Sequence, residues 1–132
     1  SGGTSAQVWA EPLRWCRGDA LTVPLAWQAG GPIVPDQTAF VHVRDAQGGI
    51  VAQADGQPVN GLYPTGLWSA GDVIADVRTL PADKQPANGT YDLVIGLYDS
   101  AGARFPIDDG PRRTPDGGLR LGEIRVENCS AP

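Results

Sequence analysis

The sequence predicts an all-β sandwich, on three observations. Residues 89–99 alternate, with Tyr91, Leu93, Ile95 and Leu97 on one face of a strand. The 18 glycines and 12 prolines are spread along the 132 residues, so they separate many short elements. No segment keeps a 3.6-residue apolar period, so we expect little or no helix.

Tyr91 refines this prediction. A tyrosine that opens a strand just after a turn, here Asn88-Gly89, is typical of immunoglobulin-like sandwiches, where its hydroxyl bonds a nearby backbone group in a tyrosine corner. We therefore expect an immunoglobulin-like or jelly-roll-type Greek-key sandwich of about eight or nine short antiparallel strands.

The elements follow from alternation and from turn residues. Pro12 interrupts the first strand, which suits an edge position. Alternation at Leu21, Val23, Leu25 and Trp27 makes the second strand the clearest of the first half. The predicted strands are 7–15, 20–28, 38–45, 50–55, 72–80, 89–99, 104–107 and 119–128.

The connections are predicted in the same way. Residues 47–49 form a hairpin turn, and 56–71 form a long irregular loop that is either functional or packed by its own side chains. The last strand breaks its alternation once, which predicts a bulge at Gly122. We assign residues 1–6 to a lead-in or cloning remnant, 7–129 to one domain and 130–132 to a tail.

Composition excludes some classes of partner. The formal net charge is −5, Lys84 is the only lysine, and Arg112-Arg113 is the only adjacent arginine pair. A clustered basic face is absent from this pattern, which argues against nucleic acid and against an anionic membrane surface. No stretch of 18 apolar residues exists, so we expect no membrane insertion by this chain.

Cys16 and Cys129 lie near opposite ends of the sequence. The first and last strands of a sandwich often approach each other, so a disulfide between these residues is one interpretation, and two unrelated buried thiols are the other. If the bridge forms, it indicates an oxidising, extracytoplasmic compartment such as the periplasm or the cell surface.

Catalytic patterns are weak. His42 is the only histidine, and neither a serine nor a cysteine triad can be completed around it. Paired carboxylates of a glycosidase are the hardest enzyme site to exclude, although aspartates at strand ends are ordinarily solvated turn residues. We therefore expect a domain that is not an enzyme.

Calcium is a weaker possibility than a site without metal. Asp108, Asp109 and Asp116 in one loop, or Asp45 and Asp55 flanking a hairpin, offer the oxygen ligands that a hard cation prefers. No Asp-x-Asp-x-Asp-Gly loop is present, so the expectation is no cofactor, with a structural calcium as the alternative.

Carbohydrate is the ligand class that the aromatic residues suggest. Sugars stack on exposed aromatic rings while neighbouring polar groups bind their hydroxyls. Tyr63 and Trp68 lie in the long loop, where they either form such a platform or fold down and cap the sandwich. Trp9 and Trp15 remain ambiguous, and His42 is either a structural or a site residue. The candidate ligand-binding residues are Tyr63, Trp68, Gln53, Asp55, Asn60, His42 and Arg104.

An ordered series of short motifs resembles one family. The motifs are FVHV at 40–43, GIVAQAD at 49–55, GLYPTGLW at 61–68, GDVIAD at 71–76, GTYDL at 89–93, GLYD at 96–99 and GAR at 102–104. Together they resemble the C-terminal extracytoplasmic β-sandwich domain of bacterial multi-spanning membrane proteins similar to dolichyl- or polyprenyl-phosphate-mannose glycosyltransferases. The chain departs from the pattern at Gly66-Leu67, which weakens the argument for a dedicated site in the loop.

The resemblance implies an accessory domain, because the transfer chemistry of that family belongs to the membrane part. Its partners would be a glycan or lipid-linked sugar and the membrane part of its own parent protein. A purely structural or protein-interaction spacer is the alternative, and an independent hydrolase is a third, weaker hypothesis.

Overall fold

Nine strands and three short 3-10 turns make up the computed structural model, which describes residues 3–107 and 112–129. The all-β prediction is confirmed. The strands are β1 (Ser5–Ala6), β2 (Leu13–Cys16), β3 (Leu21–Gln28), β4 (Thr38–Arg44), β5 (Ile50–Gln53), β6 (Val73–Leu80), β7 (Gly89–Tyr98), β8 (Arg104–Phe105) and β9 (Leu119–Glu127). The 3-10 turns are Pro58–Gly61, Thr65–Leu67 and Ala82–Lys84.

These strands form the two layers of a sandwich. The smaller sheet has the order β1-β3-β6, and the larger sheet has the order β2-β9-β7-β4-β5, with β8 added beside β7. Every described pairing is antiparallel except that of β2 with β9, which is parallel. In the described part of the chain, no helix is long and apolar enough to cross a membrane.

The first segment corrects the prediction of a single strand over 7–15. Gln7 N–H donates to Ala26 in the smaller sheet, and Trp9 N–H donates to Leu121 in the larger one, each at 2.9 Å. The chain therefore crosses between the sheets at this point, and β1 and β2 are separate strands in different layers. Ser5 and Ala6 form β1, although the sequence pattern places them in the lead-in.

The core lies between the layers and follows the predicted alternation. The burial pattern of β3 places Leu21, Val23, Leu25 and Trp27 inside, and β6 alternates in the same way. The register of the β7–β9 pair shifts so that Leu121 has no partner residue on β7. This places a β-bulge at Leu121, next to Gly122, where the sequence predicts it.

Two predicted ties are present at the ends of the sandwich. The Tyr91 hydroxyl donates to the Ala87 carbonyl at 2.6 Å, as a tyrosine corner requires. Cys16 and Cys129 are bonded to each other, which confirms the disulfide. The bridge joins the end of β2 to the residues that follow β9, its parallel neighbour.

Strand β6 carries a buried ion pair that the alternation of apolar residues did not predict. Asp76 and Arg78 are 1% and 8% exposed, and they point inward between Ile74 and Leu80. The Arg78 guanidinium donates to the carbonyls of Ala54 at 2.8 Å and Gly56 at 3.0 Å. Because those carbonyls follow β5, the pair ties the smaller sheet to the edge of the larger one.

Candidate functional site

The long loop uses its aromatic residues for packing. Trp68 is 1% exposed, its ring lies 6.1 Å from that of Trp27, and its indole N–H donates to the Tyr63 carbonyl at 2.9 Å. Of the two interpretations of Trp68, the structure shows the capping one, since the ring folds onto the core and presents no stacking face in this conformation. A large apolar ring gains more from the core than from solvent exposure.

Tyr63 is held in the same way. Its hydroxyl donates a short hydrogen bond to Asp72, which also accepts from Ser69 N–H at 3.0 Å. This bond lowers the pKa of Asp72 and raises that of Tyr63, because it stabilises the carboxylate and the protonated phenol. Thr65, fully buried, donates to the Ile33 carbonyl at 3.0 Å and fastens the loop to the preceding one.

Asn60 remains exposed at the tip of the first 3-10 turn. Val59 and Asn60 both have left-handed backbones, with φ of 52° and 56°. The Val59 N–H donates to the Asp76 carboxylate at 3.1 Å, which fixes the turn over the buried ion pair. Asn60 is therefore exposed to solvent, whereas Trp68 in the same loop belongs to the core.

His42, Asp55 and Arg104 come together elsewhere, on the outer face of the larger sheet. His42 Nε2 lies 3.6 Å from Asp55 Oδ1, and the Arg104 guanidinium lies 4.3 Å from the centre of the buried Phe40 ring. Phe40 packs against His42 with ring centres 4.6 Å apart. The structure thus divides the seven candidates between this cluster and the long loop.

Arg44 and Asp116 complete the cluster. Arg44 Nη2 lies 2.8 Å from Asp116 Oδ2 and 3.0 Å from His42 Nδ1. Tyr98 donates to Asp55 at 3.3 Å, and Asp55 also accepts from Val41 N–H at 3.2 Å. Gln53 is exposed on β5 opposite His42 in the strand register, at the border of this cluster.

Electrostatics in the cluster favour neutral His42 and ionised Asp116. Burial lowers the pKa of His42, and the charges of Arg44 and Arg104 add to that effect against the opposing pull of Asp55 and Asp116. The hydrogen bond from Arg44 lowers the pKa of Asp116 to about 2. The cluster is a network of satisfied pairs, with Arg44 Nε as its one buried atom without a partner among the described residues.

The calcium candidates are used by protein groups or are not described. Asp116 accepts from Arg44, and Asp45 accepts from the N–H groups of Gln47 and Gly49 at 3.0 and 2.8 Å. Asp108 and Asp109 lie outside the described residues. Within the described ranges, no three His, Cys, Asp or Glu side chains lie together as a metal site would require.

Trp9 is the aromatic residue that the sequence left ambiguous and the structure places at the surface. Trp15, Trp27 and Trp68 are 0%, 0% and 1% exposed, whereas Trp9 is half-buried. Its ring rests on Gly122 of β9, where a Cβ would lie only 2.9 Å from Trp9 Cε3. The glycine therefore creates the seat for this ring.

Two adjoining grooves, here called the Trp9 grooves, share Trp9, Ala10 and Glu11. The larger, of about 380 Å³, is also lined by apolar residues, which are Val8, Leu13, Pro24 and Ala26. The smaller, of about 190 Å³, is lined on its other side by charged groups, which are Arg112, Arg120 and Glu123. Trp9 thus lines both a mainly apolar groove and a charged one.

One charged group of the smaller groove, Arg120, is paired with a residue outside the groove. Arg120 Nε lies 2.8 Å from Asp92 Oδ1 on the neighbouring strand, which orients the guanidinium across the sheet. Arg112, one of the adjacent arginines noted in the sequence, also reaches this groove. The side chains that line it supply both donors and acceptors for a polyhydroxylated ligand.

No family model and no curated protein matches this chain.

Proposed function

We propose that this chain is a non-catalytic accessory domain that binds carbohydrate in the Trp9 grooves. The observation that supports this function is the half-buried Trp9 ring, flanked by Glu11 and by the arginines and Glu123 of the smaller groove. A sugar binds by stacking its C–H face on an indole ring while its hydroxyls exchange hydrogen bonds with carboxylates and guanidinium groups.

The proposal moves the ligand surface away from the long loop. Trp68 is in the core, so its ring cannot receive a sugar face in this conformation, and the Tyr63 hydroxyl is already bonded to Asp72. The larger groove has the volume at which small-ligand sites begin, and its apolar lining suits the less polar face of a pyranose.

The proposed setting is extracytoplasmic. The Cys16–Cys129 disulfide is compatible with an oxidising compartment. The strand orders β1-β3-β6 and β2-β9-β7-β4-β5, together with the Tyr91 corner, support an immunoglobulin-like arrangement. With the motif resemblance, these features favour an accessory role beside a membrane glycosyltransferase-like parent, whose own chemistry would act on glycan or lipid-linked sugar.

The decisive experiment compares wild-type protein with Trp9→Ala on a glycan array, with and without a calcium chelator. Binding by the wild type and its loss in Trp9→Ala support the proposal, and loss with chelator adds a calcium requirement. Tyr63→Phe is the matched control, because it changes a loop aromatic group but keeps its ring. A blank array on folded wild-type protein, or equal binding by Trp9→Ala, overturns the assignment.

Gly122→Ala tests the same groove without removing the aromatic ring. The added methyl group displaces Trp9 from its seat, so we expect weaker binding with the ring still present. Titration followed by tryptophan fluorescence reports on this ring directly, since the other three indoles are buried.

A second candidate function, a structural or protein-interaction spacer, is favoured by a different observation. The outer side of the smaller sheet has no charged side chain on β3 or β6, although charged residues make up 19% of the chain. A blank glycan array combined with specific association with the membrane part of the parent protein would select this function instead.

A further inference from the structure

Strand β6 has a free edge along its whole length. Gln7 N–H bonds to Ala26, so the backbone groups of even-numbered β3 residues face β1 and those of odd-numbered residues face β6. In the register of this pair, Trp27 is opposite Ile74 and Leu25 is opposite Asp76. The N–H and C=O groups that point away from β3 therefore belong to Val73, Ala75, Val77 and Thr79.

Within the described chain, β6 pairs with β3 alone, and those outward backbone groups take part in no hydrogen bond. Such a row of donors and acceptors is a template for an added strand. The side chains of the same residues are exposed and uncharged, with Val73 at 68% and Val77 at 62% exposure.

The other described sheet edges are protected in ways that β6 is not. Strand β5 has four residues, and β2 has four residues that follow Pro12. Beyond the two residues of β1, the open side of β3 carries Pro24, which has no N–H to offer. Strand β6 has eight residues and neither a proline nor an outward charge.

The apolar exposure of the described chain is also concentrated in the stretch of sequence that leads into β6. Of the six exposed large hydrophobic residues, four lie between positions 62 and 77. These are Leu62, Leu67, Val73 and Val77. The uncharged face formed by the outward residues of β3 and β6 continues from this edge across the smaller sheet.

We propose that two copies of this chain pair through their β6 edges in antiparallel orientation, about a twofold axis at Val77. This register brings the backbone groups of Val77 in each copy into mutual hydrogen bonds and sets Ala75 against Thr79 of the second copy. The two smaller sheets become one continuous sheet, with their inward faces on the same side.

The charges on β6, which are paired within each chain, favour this register over the one centred on Asp76. On the inward side it places Asp76 opposite Arg78 of the second copy, and Arg78 opposite Asp76 of the second copy. A register centred on Asp76 would instead set two carboxylates against each other, which is unfavourable. On the outward side no charges meet, so the net charge of −5 on each copy is kept away from the contact.

Sedimentation velocity of the 132-residue chain from micromolar to millimolar concentration tests the pairing. We expect a wild-type dimer that dissociates on dilution. Val77→Arg puts two like charges at the axis and Ala75→Pro removes an edge donor, so both variants should be monomeric. Thr22→Arg is the matched control, because it adds the same charge to the same face on β3, away from the edge.

A wild-type chain that stays monomeric at millimolar concentration overturns the proposal, as does a dimer that survives in Val77→Arg. Circular dichroism confirms that each variant is folded, and Val77→Arg alone suffices if Ala75→Pro does not fold. Val77 and Ala75 lie opposite Pro24 and Ala26 of the larger Trp9 groove, so sedimentation is measured without carbohydrate and reports on pairing alone.

Oxidative cross-linking tests the register. In Val77→Cys the two Cα atoms lie about 5.5 Å apart across the axis, which is compatible with a disulfide. In Val73→Cys the equivalent atoms lie about 27 Å apart, at 3.4 Å per residue along the strands. Dimer cross-linked through position 77 alone supports the register, whereas equal cross-linking through position 73 overturns it.

Discussion

The guanidinium of Arg78 meets the carboxylate of Asp76 in two hydrogen bonds inside the sandwich, Nη2–Oδ2 at 2.9 Å and Nε–Oδ1 at 3.2 Å. The remaining partners of Asp76 are the Trp27 indole at 3.2 Å and Val59 N–H at 3.1 Å. The remaining partners of Arg78 are backbone carbonyls between residues 39 and 57. A buried pair that is fully satisfied in this way fixes how the two sheets and the long loop meet.

Removal of one member of this pair should therefore be severe. Asp76→Ala leaves a buried guanidinium without its counter-charge, and we expect the free energy of unfolding to fall by about 3–5 kcal/mol. Urea denaturation measures the change. Arg14→Ala is the control, because the Arg14–Glu127 pair is exposed and should contribute less than about 1 kcal/mol. Equal losses in the two variants would contradict the role given to Asp76.

Stability should decrease in weak acid because of His42. Its pKa in the folded chain is below the ordinary value of 6.5, so the unfolded chain binds more protons between the folded pKa and 6.5. The contribution of His42 is therefore complete above pH 6.5 and is lost as the pH falls toward the folded pKa. Unfolding free energies measured from pH 8 to pH 5 should show this slope, and His42→Gln should remove it.

The same network makes a second contribution at lower pH. The pKa of Asp116 is lowered to about 2, so its stabilising pair with Arg44 is present above the ordinary value of 3.8 and is lost as the pH falls through about 2. Asp116→Asn should flatten stability in that range and leave the slope near pH 6 in place. If the pH dependence of stability near pH 6 persists in His42→Gln, another titrating group causes it and the role given to His42 is contradicted.

Reduction of the Cys16–Cys129 bridge should destabilise the sandwich markedly. The bridge closes a loop with a sequence separation of 113 residues. The chain-entropy model gives about 4–5 kcal/mol for a loop of this length. We expect Cys16→Ser/Cys129→Ser to show this loss in urea denaturation. Wild-type protein in strong reductant should match the variant, and added reductant should not affect the variant further.

The alternation of apolar residues predicted most strands, because burial on one face of a sheet is a local pattern. It did not predict that residues 7–15 cross between the sheets. The crossing depends on two long-range backbone hydrogen bonds, from Gln7 N–H to Ala26 and from Trp9 N–H to Leu121. Asp76 and Arg78 occupy inward positions between Ile74 and Leu80, so two opposite charges on the apolar face of a strand are the sequence signal of this ion pair.

The candidate site was harder to predict than the fold. Whether Trp68 is buried depends on its contact with Trp27, 41 positions earlier in the chain, and no local pattern encodes that contact. Trp9 gave one indirect signal. Gly122, which breaks the alternation of β9, is also the residue on which the Trp9 ring rests. Its position in the sequence therefore indicated a bulge but gave no direct sign of the contact with Trp9.

The tryptophans themselves separate packing from binding. Trp68→Ala removes a buried ring and its hydrogen bond to the Tyr63 carbonyl, so we expect the free energy of unfolding to fall by about 3–5 kcal/mol. Trp9→Ala should cost less, because that ring is half-buried and lies at the surface. Paired urea denaturations of the two variants measure the difference.

Acrylamide quenching gives the complementary observation on the native protein. Trp9 should supply the quenchable part of the fluorescence, and Trp9→Phe should abolish it while Trp68→Phe leaves it in place. Quenchable fluorescence that instead disappears with Trp68→Phe would place the exposed indole in the long loop. The ligand surface would then have to be sought there, among Tyr63 and Asn60, rather than beside Gly122.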